Sequence, residues 1–181
     1  MNSVGTDNVP ALVAARNYYG ADMAAFSIPA SEHSTATAGG RDGELEFMRA
    51  YLAAYPTGAI SAVADSYDLW HFLNVILGKE LRKEILERDG VLVVRPDSGD
   101  PVEIVPEVIE ALMVKFGFDY TETGYKILNP KVRVIQGDGV DQASILKIMD
   151  AMMDRGLAIG NVVFGMGGGL HHSLRRRTDV L

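Results

Sequence analysis

Cysteine is absent from this sequence of 181 residues. Its absence excludes disulfides, zinc–thiolate sites and a cysteine nucleophile. Long apolar runs are also missing, and no basic segment followed by an apolar one stands at the amino terminus. The expectation is therefore no membrane span and no signal peptide. Positive charge is scarce: 17 Lys and Arg stand against 24 Asp and Glu, a formal charge of −7. That balance disfavours non-specific binding to nucleic acid. The dense basic run is Arg175-Arg176-Arg177. What is present, 48% hydrophobic and 23% charged residues, suits a single globular domain with enough chain to bury a core. A cytoplasmic metabolic role is the default expectation.

Val91 to Pro101 organises the chain. Four apolar residues, Val91-Leu92-Val93-Val94, run without alternation into Arg95-Pro96-Asp97-Ser98-Gly99. Such a run predicts a strand buried on both faces, as in a parallel sheet. The polar cluster then falls at the carboxyl end of that strand, where α/β folds bind ligands. Arg95 and Asp97 read there either as ligand groups or as a structural ion pair.

The rest of the chain repeats this plan. A helix capped by Asp7 should run to Tyr19, with Val9, Leu12 and Val13 inward. A strand over 24–30 leads into the polar group Ser31-Glu32-His33-Ser34-Thr35. Leu45, Met48, Leu52 and Tyr55 mark an amphipathic helix. A strand over 59–64 ends at Asp65-Ser66-Tyr67-Asp68, where Asp65 or Ser66 can cap a helix to Leu77, stopped by Gly78. A charged helix over 79–88 should follow. After the central strand, Val105, Val108, Ile109, Leu112 and Phe116 form a helical stripe ending at Gly117, with Pro106 in its first turn or at a kink. A hairpin is expected over 121–129 around Thr123-Gly124. A strand over 132–136 precedes a helix capped by Asp141, with Ile145, Ile148, Met149 and Met152 inward and Gly156 as its stop. A fifth strand over 161–164 opens into Gly165-Met166-Gly167-Gly168-Gly169, with a short helix from Leu170. Strand ends near 30, 65, 95, 137 and 165 are spaced by 28 to 42 residues, the length of βα units of roughly 30 or more residues. About five parallel strands with flanking helices make either a flat, doubly wound sheet or part of a (β/α) barrel.

The candidate chemistry lies at those strand ends. Gly165, Gly167, Gly168 and Gly169 let backbone amides approach a phosphate, with Arg175 or Arg176 able to close over it. The alternative is a glycine turn needed for tight packing. Asp65, Asp97 and Asp138 can hold ribose hydroxyls or a hydrated Mg²⁺, or each can cap a helix. His33 can act as nucleophile or acid–base with Asp65 as its carboxylate, or be a loop histidine bonded to backbone. His71 reads as a core-edge residue, and His171 and His172 receive no role.

Five motifs carry a resemblance: 27–35 (Ser-Ile-Pro-Ala-Ser-Glu-His-Ser-Thr), 65–68 (Asp-Ser-Tyr-Asp), 95–99 (Arg-Pro-Asp-Ser-Gly), 133–141 (Arg-Val-Ile-Gln-Gly-Asp-Gly-Val-Asp) and 164–170 (Phe-Gly-Met-Gly-Gly-Gly-Leu). In this order they resemble the nicotinamide phosphoribosyltransferases, from about residue 5 to Arg176. The resemblance implies a type II phosphoribosyltransferase fold, an irregular α/β barrel built as a homodimer. It implies transfer of 5-phosphoribosyl from phosphoribosyl pyrophosphate to nicotinamide, giving nicotinamide mononucleotide and pyrophosphate, with Mg²⁺ on the leaving group. It makes His33 a histidine phosphorylated by ATP, supported by Glu32 and Asp65. Arg95, Asp97, Gly137 and Asp138 would hold the ribose and the nicotinamide end. Gly167, Gly168 and Arg176 would hold the 5-phosphate. Ser27, Ser61, Val93, Ile135 and Val163 would line a nicotinamide tunnel.

The same resemblance implies a barrel domain incomplete at both ends, lacking the segment that clamps the nicotinamide ring. Activity of this chain alone is expected to be weak or absent. The alternatives are a non-catalytic phosphoribosyl-binding fragment, half of a split enzyme, or a nicotinate-using relative.

Overall fold

The computed structural model describes residues 9–22 and 27–165. The cap expected at Asp7, residues 24–26 of the first strand, Gly167, Gly168, Arg176, His171, His172 and the helix from Leu170 lie outside the described residues.

Four parallel strands form the sheet: β1 (Thr57–Val63), β2 (Asp89–Arg95), β5 (Val132–Gln136) and β6 (Val162–Phe164), in the order β1-β2-β5-β6. A fifth segment continues this order on the free side of β1. Ala30 pairs with Ser61 in parallel. The Ser31 amide donates to the Ser61 carbonyl at 2.9 Å, and the Ser61 amide to the Pro29 carbonyl at 2.8 Å. Spatial order thus follows chain order throughout. A doubly wound sheet would reverse direction at a switch point. This one is an arc of a (β/α) barrel, and it does not close among the described residues.

The two faces of the arc confirm this. Side chains alternate along a strand. Ile60 and Ala62, Leu92 and Val94, Val132 and Val134, and Val162 point to one side and join a single core. That core also takes Val105, Val108, Ile109, Leu112 and Phe116 of α6 (Pro101–Phe116) and Ile148 and Met152 of α7 (Gln142–Asp154). The opposite, concave face carries Ser61 and Val63, Val93 and Arg95, Arg133 and Ile135, and Val163. It is buried over β1 and β2, where Ser61 is 4% and Val93 7% exposed. It is half-open at Ile135 and Val163.

The helices refine the expected boundaries. In α1 (Val9–Tyr19), the Val9 side chain lies outside the described ones, Leu12 is half-buried, Val13 points outward at 52% exposure and Ala15 is buried. Apolar residues stand at consecutive positions 11 to 15 of the sequence, so their spacing selects no face. A single turn, α2 (His33–Ala36), follows the Ala30 pairing. In α3 (Glu44–Ala54) the predicted stripe buries Met48 and Leu52. The helix after β1 is capped by Asp68, whose carboxylate accepts the His71 amide at 3.0 Å, and not by Asp65 or Ser66. It begins as α4 (Leu69–His71) and continues through Gly78 as a π-helix over Phe72–Glu80.

The i→i+5 pattern of a π-helix adds a residue to each turn. That spacing lets Phe72, Ile76, Leu77 and Leu81 all reach the core. Gly78 does not stop the helix. A Cβ there would stand 2.7 Å from the Leu73 carbonyl oxygen and 2.6 Å from Cγ of Lys115, so glycine serves close packing. The charged segment forms the shorter α5 (Arg82–Glu87). Pro106 lies in the second turn of α6 without ending it. The hairpin starts earlier than predicted: β3 (Phe118–Tyr120) pairs antiparallel with β4 (Lys126–Leu128). Residues 121–124 form its turn, with the Gly124 amide on the Thr121 carbonyl at 2.9 Å. Among the described residues no helix is long and apolar enough to cross a membrane.

Candidate active site

Because the strands are parallel, the segments after Ala30, β1, β2, β5 and β6 all emerge at one edge of the arc. His33 stands at this edge as the first residue of α2. The Glu32 amide donates to Thr35 Oγ1 at 3.2 Å and the Thr35 amide to the Glu32 carbonyl at 3.0 Å. This turn is fastened to β1 by Ser31, whose hydroxyl accepts the Val63 amide at 3.0 Å.

Both ring nitrogens of His33 are engaged by side chains, so the backbone-bonded loop reading is set aside. Nδ1 lies 3.1 Å from Ser66 Oγ, and Nε2 lies 3.3 Å from Asp97 Oδ2 and 3.7 Å from Asp65 Oδ1. Carboxylates accept only. A neutral ring would therefore carry its proton on Nε2, facing Asp97, which leaves Nδ1 a lone pair to accept from the Ser66 hydroxyl. Asp65 is not the nearest carboxylate, as predicted, but the second. Its side chain is 6% exposed. Its Oδ2 accepts the Asp97 amide at 3.0 Å, and its Oδ1 has no hydrogen-bond partner among the described residues. Asp65 thus locks the loops after β1 and β2 together and adds negative potential at Nε2. The His33 ring remains 44% exposed, open enough to meet a substrate.

Arg95 pairs with Glu32 and not with Asp97. Nη2 donates to Glu32 Oε2 at 3.1 Å, Nη1 to Oε1 at 3.3 Å, and Nη2 also to the Ser31 carbonyl at 3.3 Å. The Arg95 hydrogen bond holds the Glu32 carboxyl below its usual range, against the opposing effect of burial. Glu32 accordingly orients Arg95 and makes no bond to His33.

The remaining candidates occupy other parts of the edge and the concave face. Asp138 and Gly137 follow β5. The Asp138 carbonyl accepts from Gln136 Nε2 at 2.8 Å, and its exposed side chain makes no hydrogen bond or ion pair with the His33 cluster among the described residues. Gly137 lies beside Gly165, since a Cβ on Gly165 would stand 3.6 Å from Gly137 Cα. The residues directly after β5 and β6, Gly137 and Gly165, are therefore neighbours. Ser61 is buried on the concave face opposite Val93, and Ile135 there faces Val163. Ser27 is exposed ahead of the Ala30 pairing. Sequence reasoning missed Ser66 as a histidine partner, although it directly follows Asp65 at a strand end.

The comparisons with known proteins follow this geometry. Residues 1–180 match the model of the nicotinate phosphoribosyltransferase (NAPRTase) family. A nicotinamide phosphoribosyltransferase of Xanthomonas campestris pv. campestris is 42% identical over 181 residues, covering 99% of this chain and 38% of the relative. Those of Mycoplasma pneumoniae and Acinetobacter baylyi are 38% and 35% identical, covering 86% and 97% of this chain. The chain spans between a third and two fifths of the length of these relatives. With the parallel arc, the five edge motifs and a match over nearly its whole length, this chain belongs to the nicotinate phosphoribosyltransferase family.

Proposed function

We propose that the chain carries the phosphohistidine and phosphoribosyl-binding part of a nicotinamide phosphoribosyltransferase. The observation that carries the proposal is His33 held between Ser66 at Nδ1 and two carboxylates at Nε2. On this reading Nδ1 attacks the γ-phosphorus of ATP. The N–P bond forms, the P–O bond to ADP breaks, and the charge gained by the ring is balanced by Asp97 and Asp65. Transfer itself joins the nicotinamide ring nitrogen to C1 of the ribose and breaks the C–O bond to pyrophosphate. The groups needed are fixed contacts to ribose hydroxyls and phosphates.

Arg95, Asp97, Gly137 and Asp138 would hold the ribose and the nicotinamide end, and Gly167, Gly168 and Arg176 the 5-phosphate. Ser27, Ser61, Val93, Ile135 and Val163 would face the base. Mg²⁺ would enter on the pyrophosphate of the substrate. The carboxylates at this edge suit a metal that keeps water and phosphate oxygens as most of its ligands. A cytoplasmic location and a second copy or complementing chain as partner belong to the same reading. The relatives' names support nicotinamide as the base.

A second reading, a fragment that binds without catalysing, is favoured by the half-open stretch of concave face at Ile135 and Val163. Calorimetric titration with nicotinamide mononucleotide, paired with a turnover assay on nicotinamide, phosphoribosyl pyrophosphate, Mg²⁺ and ATP, separates the two. Binding with turnover supports the enzyme, and binding alone supports the fragment. Absence of binding overturns both. Competition between nicotinamide and nicotinate decides the base.

A further inference from the structure

We infer that Gln136 is a positioning residue that sets the Gly137–Asp138–Gly139 turn for its ligand. The inference rests on the phosphoribosyl reading above for what the turn binds, but not for how the turn is held. Gln136 ends β5, two residues on from Val134. Strand alternation therefore turns its side chain toward the aliphatic core and away from the concave face. An amide there is costly to bury unless its polar atoms are bonded. At 2% exposure it is among the most deeply buried polar side chains described.

Its Nε2 donates to the Asp138 carbonyl at 2.8 Å, two residues along the chain, while its main-chain carbonyl accepts the Gly165 amide at 2.9 Å. The Gln136 side chain thus bonds the middle of the turn, beside the Ser144 hydroxyl that donates to the Gly139 carbonyl at 3.3 Å, and its main chain ties the turn to Gly165, the start of the glycine run after β6. Gly137 has no side chain to restrain it and Gly139 adopts φ +62°. The Gln136 amide is the side-chain tether of the Asp138 backbone among the described residues. With that backbone held from below, the Asp138 carboxylate is presented at the exposed edge. Oε1 has no partner among the described residues, so the Gln136 side chain holds the turn through the single Nε2 donation.

Two variants test this. Gln136→Met keeps the length and removes the donor. Gln136→Glu restores a donor only while its carboxyl is protonated, since the charged form would face the Asp138 carbonyl with an acceptor. Hydrogen exchange at 137–140 in the free chain reads the tether, and calorimetry with nicotinamide mononucleotide reads its consequence. We expect faster exchange in Gln136→Met and an affinity about tenfold weaker than the unsubstituted chain at every pH. For Gln136→Glu, the affinity relative to the unsubstituted chain should approach it at low pH and fall as pH rises. Unchanged exchange in Gln136→Met, or a relative affinity of Gln136→Glu that does not vary with pH, overturns the inference. Loosened exchange in a chain that never binds the nucleotide would sink the phosphoribosyl reading and leave the tether standing.

Discussion

Charged side chains at the two ends of the sheet are held in different ways. At the amino end, Arg88 is 7% exposed and donates to the carbonyls of Tyr55 at 2.7 Å and Thr57 at 2.8 Å. Lys131 donates to the Arg88 carbonyl at 2.6 Å, and Arg133 to the carbonyls of Leu128, Asn129 and Val132. These cations are bonded to main chain. At the carboxyl end, Arg95 meets Glu32, and His33 meets Ser66, Asp97 and Asp65, chiefly side chain to side chain. A backbone carbonyl cannot leave without unfolding the segment that bears it. A side chain can rotate and exchange its partner for a ligand. The amino end therefore contributes to folding, and the carboxyl end is where charge can be redirected to a substrate.

The largest effect that would sharpen this contrast is at His33. His33→Asn should abolish ATP-driven turnover, or ATP-dependent labelling where turnover is absent, while the unfolding free energy from urea denaturation stays within about 0.5 kcal/mol of the unsubstituted chain. A large loss of stability would make His33 structural and remove the contrast. Next is Arg88→Met, which strands two strand-edge carbonyls. We expect destabilisation of roughly 2–4 kcal/mol by urea denaturation, with nucleotide affinity unchanged where the variant is folded. Arg95→Met should do the reverse. Its partner Glu32 is 61% exposed, so stability should change by less than about 1 kcal/mol while calorimetric affinity for nicotinamide mononucleotide falls about tenfold or more.

The smallest effect concerns Glu44 at the start of α3, which neither end uses. Burial raises its carboxyl above the usual range, outweighing the nearby His71 and Arg41. A carboxyl whose folded value is raised stabilises below the unfolded value of about 4.3 and loses that contribution as pH rises through the folded value. Thermal melts of Glu44→Gln should show a weaker decline over that rise than the unsubstituted chain. Identical profiles would mean Glu44 does not titrate in the fold.

Local patterns were legible where a neighbour in sequence decides the outcome. The α6 stripe from Val105 to Phe116 buries as its spacing requires. Asp141 caps α7 through the Ser144 amide at 2.7 Å. The run Val91 to Val94 becomes the strand beside which the site is built. Contacts across tens of residues were not legible. Ser66 reaches His33 over 33 positions and Arg95 reaches Glu32 over 63, and no periodicity encodes such pairs. Asp65, Ser66 and Asp68 are all competent caps. Only the folded loop assigns the cap to Asp68 and frees the other two for His33. The π-helix escaped because Leu73, Leu77 and Leu81, all buried, recur every four residues, a spacing an α-helix also satisfies.

The central claim is that His33 is held as a nucleophile through Nδ1. Incubating the chain with ATP labelled in the γ-phosphate and assaying acid-labile, base-stable phosphate tests it most directly. The account predicts label on His33, abolished in His33→Asn and weakened when Asp97 is replaced by Asn. Label that persists in His33→Asn, or no label on the unsubstituted chain, would contradict it.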